Sequence, residues 1–269
     1  MKNIAIALVQ FNEKDLLDYG LSLTAQLNPG LPLTYFIANK TPYIPPSYPN
    51  FTFHDVPNQR LSHPCLDHST GLEAAIKAAK QTKPDYLILT EPDFIQTYPI
   101  EPLITYMELA DLAVMGTPYG KKARQLDVKK HNEPTVTAVP TIHFLIANLS
   151  KIDQFILGQD KQEGGKFIPY TGKVGELDTS IHFRQNLYRY KWQSFTMCLS
   201  TECSICRDGG LHIDGQFKEY AGKTEKLFFG NQLVGFHLQR YTSDNLDLLR
   251  ENVKNGISNK FYHPLPNFL

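Results

Sequence analysis

The chain of 269 residues contains no apolar run long enough to cross a bilayer. Its first apolar stretch, Ile4 to Val9, gives way at once to Gln10-Phe11-Asn12-Glu13-Lys14. That is too short for a signal core and reads as a buried strand, so the sequence predicts a protein without transmembrane segments in a cytoplasmic setting. Net charge is lacking too. Lys+Arg and Asp+Glu both number 27, which leaves no whole-chain field to gather nucleic acid or an acidic membrane. Only four cysteines are present, Cys65, Cys198, Cys203 and Cys206. The last three, with His212, offer a zinc site as an alternative. A single Cys-x2-Cys lacks the second pair that would make such a site specific, and reduced cysteines on a strand and loop are the favoured reading. No Gly-x-Gly-x-x-Gly, Gly-x4-Gly-Lys-Ser/Thr or Gly-x-Ser-x-Gly pattern occurs, which disfavours a dinucleotide site, a P-loop and a nucleophile elbow. Repeats, low-complexity tracts and an interdomain linker are absent as well, so one domain over 1–269 is the simplest account.

What the chain does have is aromatic residues, 14 Tyr and 16 Phe, and enough length to bury a sizeable core. Its first half alternates strand-like and helix-like segments. Strands are predicted at Ile4 to Val9, Leu33 to Ala38 and Phe51 to Val56, with a proline-rich extended loop from Pro42 to Pro49. A helix is predicted over Lys14 to Leu27 from the spacing of Leu16, Leu17, Leu21 and Leu23. Another is predicted over Gly71 to Lys83, where Ala74, Ala75, Ala78 and Ala79 give close packing, with Ser69 or Thr70 as N-cap. The order β-α-β-β-α-β implies an α/β fold with a mixed, mostly parallel sheet flanked by helices. Further on, a helix is expected at Ile100 to Leu109 and strands at Ala110 to Gly116 and Val136 to Asn148, then a short helix at Leu149 to Leu157. Residues 158–175 read as a loop over a site, Leu177 to Tyr190 as a helix and Trp192 to Leu199 as a strand. Leu227 to Leu238 should return to the sheet, and Asp244 to Asn255 should form a last helix. The basic stretch Gly120 to Glu133 is an ordinary solvated loop by composition, with a phosphate-facing role as the alternative.

The most informative stretch is Asp85-Tyr-Leu-Ile-Leu-Thr-Glu-Pro-Asp-Phe94. Tyr86 to Leu89 suit a buried strand, and Pro92, lacking an amide hydrogen, should end it. Two acids, Glu91 and Asp93, then stand at the carboxyl end of that strand, where open α/β sheets bind ligands. Buried acids are costly unless they meet a cation or a polar ligand. A divalent metal with a phosphorylated compound is the chemistry this pattern fits, and a plain surface turn is the competing explanation.

An alanine-rich helix followed by a strand ending in Glu-Pro-Asp resembles the Asp-x-Asp region of GT-A-fold nucleotide-sugar glycosyltransferases of the family 2 type, with Glu91 in the first acidic position. The resemblance implies a single GT-A-like domain, residues 1–120 binding the nucleotide sugar and 121–269 the acceptor. It further implies Asp93 and Glu91 as ligands of Mn²⁺ or Mg²⁺ against the donor diphosphate, with His237, in Val234-Gly-Phe-His-Leu238, as an additional ligand. A neutral imidazole there would favour Mn²⁺, while a satisfied core histidine is the ordinary alternative. Gln10, Asn12 and Asn39 fall where such enzymes hold the base and ribose, and His68 could face the nucleotide. Asp178 and Glu176, at a predicted helix start, match the placement of a carboxylate that deprotonates the acceptor hydroxyl. A capping role explains Asp178 equally well. His143, in Thr141-Ile-His-Phe-Leu145, could line the acceptor side, with core packing favoured. The implied partners are a nucleotide-diphosphate sugar donor and a carbohydrate or other hydroxyl acceptor. A metal-dependent nucleotidyltransferase and a non-catalytic carbohydrate-binding protein on the same fold are the alternatives.

Overall fold

The structure, a computed structural model, describes residues 2–58, 64–119, 139–153, 155, 162–163, 166–167, 187–198, 224–230 and 232–238. The amino-terminal half runs β1 (Ile4–Gln10), α1 (Lys14–Leu27), β2 (Leu33–Asn39), β3 (Phe51–Asp55), α2 (Pro64–Gln81) and β4 (Tyr86–Thr90). It continues with β5 (Phe94–Gln96), α3 (Ile100–Leu109), β6 (Val114–Tyr119) and β7 (Val139–Asn148). Then come β8 (Gln162–Glu163), β9 (Lys166–Phe167), a 3₁₀ turn (Leu187–Arg189), β10 (Trp192–Ser194), β11 (Thr196–Cys198), β12 (Thr224–Phe229) and β13 (Gln232–Leu238).

Seven strands form one sheet in the order β10-β6-β7-β4-β1-β2-β3. Pairing is parallel throughout except at β7, which runs against both β4 and β6. The expected mixed, mostly parallel α/β sheet is therefore observed. Both faces are covered, so the central strands are apolar on both sides, as parallel sheets require. On one face Ile4, Ile6 and Leu8 of β1 pack with Leu17 and Leu21 of α1 and with Leu103, Ile104 and Met107 of α3. On the other, Ala5, Ala7 and Val9 meet Leu72, Ala75, Ile76 and Ala79 of α2, which recur at helical spacing. Small residues set how close α2 lies: a Cβ on Gly71 would fall 2.9 Å from Lys40 Cε and 3.1 Å from Val9 Cγ1. Asn28 joins α1 to α3 by donating to the Thr24 carbonyl at 2.8 Å and accepting the Ile100 N–H at 2.8 Å.

A second, four-stranded sheet, β11-β12-β13-β5, closes over the first core through Phe94, Leu227, Phe229 and Val234. Helix α2 begins at Pro64, so Ser69 and Thr70 lie inside it and are not its N-cap; proline suits the first helical position because its missing N–H would be unpaired there anyway. Residues 149–153 form turns and bends in place of a helix. The expected strand Trp192 to Leu199 is split at Phe195, β10 joining the large sheet and β11 the small one. The segment Leu227 to Leu238 is a hairpin arm of the small sheet and does not return to the large one. The expected helices over Asp244 to Asn255 and most of Leu177 to Tyr190 lie outside the described residues, as does the basic stretch 120–133.

Candidate metal centre

Strand β4 ends at Thr90, and Glu91-Pro92-Asp93-Phe94 makes a tight turn in which the Phe94 N–H donates to the Glu91 carbonyl at 3.0 Å. Proline at its second position is what such a turn favours. The surface-turn explanation and the ligand explanation thus meet in one object: it is a turn, and its acids face a cluster of histidines. The turn is held down by Phe94, whose ring stacks on Phe144 of β7 at 4.6 Å.

Two strand registers bring the histidines in. β13 pairs antiparallel with β5, and His237 stands opposite Phe94, so its imidazole arrives beside the turn. His143 arrives from β7, where the pairing with β6 is irregular: Gly116 pairs Leu145, but Thr117 pairs Thr141. Residues 142–144 bulge between those partners, and bulges re-aim side chains. The bulge is stabilised locally, because the Thr117 hydroxyl donates to the Phe144 carbonyl and accepts the Phe144 N–H, both at 3.1 Å. Gly116 leaves room for it, since a Cβ there would lie 3.2 Å from the Phe144 carbonyl oxygen.

The result is a carboxylate ringed by imidazoles. Glu91 Oε2 lies 2.6 Å from His143 Nδ1 and 3.0 Å from His237 Nε2. The two imidazoles stack on each other with ring centres 4.2 Å apart. The other carboxylate oxygen, Oε1, is 3.8 Å from His68 Nε2 on α2. Asp93 Oδ1 is 3.5 Å from His237 Nε2. Burial pushes the Glu91 carboxyl up, but the charge and hydrogen bond of His143, followed by those of His237, outweigh it and hold the group well below the usual carboxylate range. One ligand atom from each of Glu91, His143 and His237 lies within 4.8 Å of the other two, a group whose donor chemistry could hold one metal ion.

Of the residues singled out from sequence, Glu91, Asp93, His237 and His68 are brought together. His143, for which core packing was favoured, is the correction: it belongs to this cluster. Its sequence signal was the same as that of His237, a lone histidine inside an apolar strand. Gln10 and Asn39 pair in register at the same carboxyl edge of the sheet. Gln10 is fully buried; its Oε1 accepts from the Thr41 hydroxyl at 3.2 Å, while its Nε2 has no hydrogen-bond partner. Asn39 Nδ2 donates to Asp55 at 2.8 Å and its buried Oδ1 is likewise unmatched. Asn12 is exposed, and its backbone N–H donates to Glu13 at 3.0 Å. Nearby, Lys40 and Asp67 form an ion pair at 2.9 Å with side chains 0% and 4% exposed, tying the first turn of α2 to the end of β2. Asp178, Glu176, Cys203, Cys206 and His212 lie outside the described residues.

No protein-family model and no curated protein matches the chain. Among solved structures, the chain is similar to galactosyltransferase LgtC in complex with donor and acceptor sugar analogues, at 11% identity over 97% of this chain and 98% of that one, with a TM-score of 0.48. It is also similar to glucosyl-3-phosphoglycerate synthase from Mycobacterium tuberculosis in complex with phosphoglyceric acid, at 15% identity over 55% and 57% of the two chains and a TM-score of 0.36. A third is the bifunctional glycosyltransferase WbbM, at 7% identity over 55% and 32% and a TM-score of 0.34. At such values these likenesses carry no weight for fold or chemistry, which rest on sheet order and side-chain geometry. Among the described residues, no helix is long and apolar enough to cross a membrane.

Proposed function

We propose that the protein is a metal-dependent glycosyltransferase of the GT-A type, acting in the cytoplasm and moving a sugar from a nucleotide-diphosphate donor to a hydroxyl acceptor. The observation that carries this reading is the convergence of Glu91, Asp93, His143 and His237 at the carboxyl edge of a mostly parallel sheet. Asp93, Glu91 and His237 would hold Mn²⁺ or Mg²⁺. Such an ion, when bound, neutralises charge on the departing diphosphate. Gln10 and Asn39 contribute to donor binding: each presents a buried polar atom with no partner, and leaving such an atom unmatched costs about 1–3 kcal/mol. One is a donor and the other an acceptor, a combination suited to a nucleoside edge or ribose. Asn12 and His68 border the same edge. Asp178, with Glu176 as second choice, would take the proton of the acceptor hydroxyl as its oxygen attacks the anomeric carbon. In this reading residues 1–120 bind the donor and 121–269 the acceptor within one domain. The halves share a framework, since β7 and β10 lie in the large sheet and β13 pairs with β5.

The test is a panel of UDP- and GDP-sugars with Mn²⁺ or Mg²⁺, following release of nucleotide diphosphate. Wild-type protein should turn over one class of donor, and Asp93→Asn should lose turnover by about 100-fold or more with an unchanged melting temperature. If Asp93→Asn transfers sugar normally, the assignment fails. Metal-dependent donor binding without hydrolysis or transfer would instead indicate a binding protein on this fold.

A further inference from the structure

We infer that His143 is a metal ligand of this protein and that the centre it completes selects a borderline transition ion, zinc or cobalt(II) in class, over Mg²⁺. The inference rests on the transferase reading for what the ion is used for, but not for its binding. Its ground is the donor set. Mg²⁺ takes oxygen ligands in near-ideal octahedral geometry, keeps most of its waters and is held by one or two carboxylates. Here two imidazole nitrogens, His143 Nδ1 and His237 Nε2, point at the same oxygen of one carboxylate, at 2.6 and 3.0 Å. Nitrogen donors suit zinc, cobalt and other later first-row ions, and affinity rises along that series for a given site.

The backbone positions of these two histidines are set by strand pairing. The bulge at 142–144, held by the Thr117 hydroxyl, sets His143, and the β13–β5 register sets His237. Stacking of the two rings at 4.2 Å further limits their rotation. A preset pair of nitrogens disfavours an ion that needs freely adjusting oxygen ligands. Glu91 supplies the charge, and Asp93, 3.5 Å from His237, stands beside the triad.

The experiment uses the full chain stripped of metal, titrated separately with Zn²⁺, Co²⁺, Mn²⁺ and Mg²⁺ by calorimetry, with the visible absorption of Co²⁺ as a second readout. One equivalent of Zn²⁺ or Co²⁺ should bind on the order of 100-fold more tightly than Mg²⁺. His143→Gln should weaken Zn²⁺ by at least about tenfold and change the Co²⁺ spectrum. A Cys203→Ser, Cys206→Ser double variant should bind Zn²⁺ as the wild type does. Equal affinity for Mg²⁺, an unaltered Zn²⁺ affinity in His143→Gln, or loss of Zn²⁺ binding in the cysteine variant would each overturn the inference. The ranking of ions in wild-type protein stands even if His143→Gln does not fold. Absence of sugar transfer with every one of the four ions would sink the transferase reading and leave the metal assignment intact. Transfer supported by Mg²⁺ alone and indifferent to His143 would do the reverse.

Discussion

A carboxylate withdrawn from water is destabilising unless cations or hydrogen-bond donors replace the lost hydration. Glu91 meets that condition through His143 and His237, and the consequence is measurable. Because its folded-state value is depressed, Glu91 contributes stability that is present above the ordinary carboxyl value of about 4.3 and is lost as pH falls through the depressed value. Glu91→Gln removes that linkage. In metal-free protein, the difference in denaturation midpoint between wild type and Glu91→Gln should be largest near neutrality and should shrink below about pH 4. A difference that grows on acidification would contradict the assigned environment. At this scale the acidic pair was legible, because a buried strand running into Glu-Pro-Asp is a local pattern, whereas His237 was offered only by the family resemblance. His143 was not legible, since its orientation depends on a bulge and on the direction of a neighbouring strand, neither of which a single stretch of residues encodes.

At the scale of elements, the join between β13 and β5 decides where His237 stands. Gly235 makes that join possible: a Cβ there would fall 2.4 Å from Phe94 Cζ and 2.6 Å from the Ile95 carbonyl oxygen. The ring tip can shift, but the carbonyl belongs to the paired strand and cannot move without breaking the ladder. Gly235→Ala should therefore cost about 1–3 kcal/mol of stability. It should also weaken metal binding by displacing His237, as calorimetry on the folded variant would reveal; unchanged stability would refute the close approach. Strand β5, three residues long, left no periodicity to read, and neither did the split at Phe195. Helix α1 was legible from leucine spacing and α2 from its alanines, although α2 begins at Pro64, ahead of the Ser69 or Thr70 cap expected from the sequence, and the short helix α3 has the expected bounds.

At the scale of the whole molecule, five of the described tyrosines share one property. Burial, as the largest cause, pushes the phenols of Tyr35, Tyr43, Tyr48, Tyr86 and Tyr98 up. Each therefore keeps its proton in the folded chain at pH values where the unfolded chain releases it. Stability is fully present below about pH 10 and is lost as pH rises beyond it. Denaturant midpoints should fall between pH 9 and pH 11 more steeply than in a Tyr43→Phe variant, with phenolate absorbance appearing together with unfolding. Phenolate appearing before unfolding would contradict the prediction. The mostly parallel sheet was legible at this scale from alternating strands and helices. The reversal at β7 and the second sheet were not, because strand direction and partner choice are settled by long-range packing.

The pairing of β13 with β5 also bears on biosynthesis. A ribosome releases the turn carrying Glu91 and Asp93 long before it releases His237. A nascent chain ending at β10 would hold every described strand of the large sheet yet lack His237, one of the nitrogens proposed to hold an ion. If the proposed centre binds a cation, that capacity is withheld until the closing hairpin emerges and docks, and a prematurely terminated product would lack it even where its larger sheet had formed.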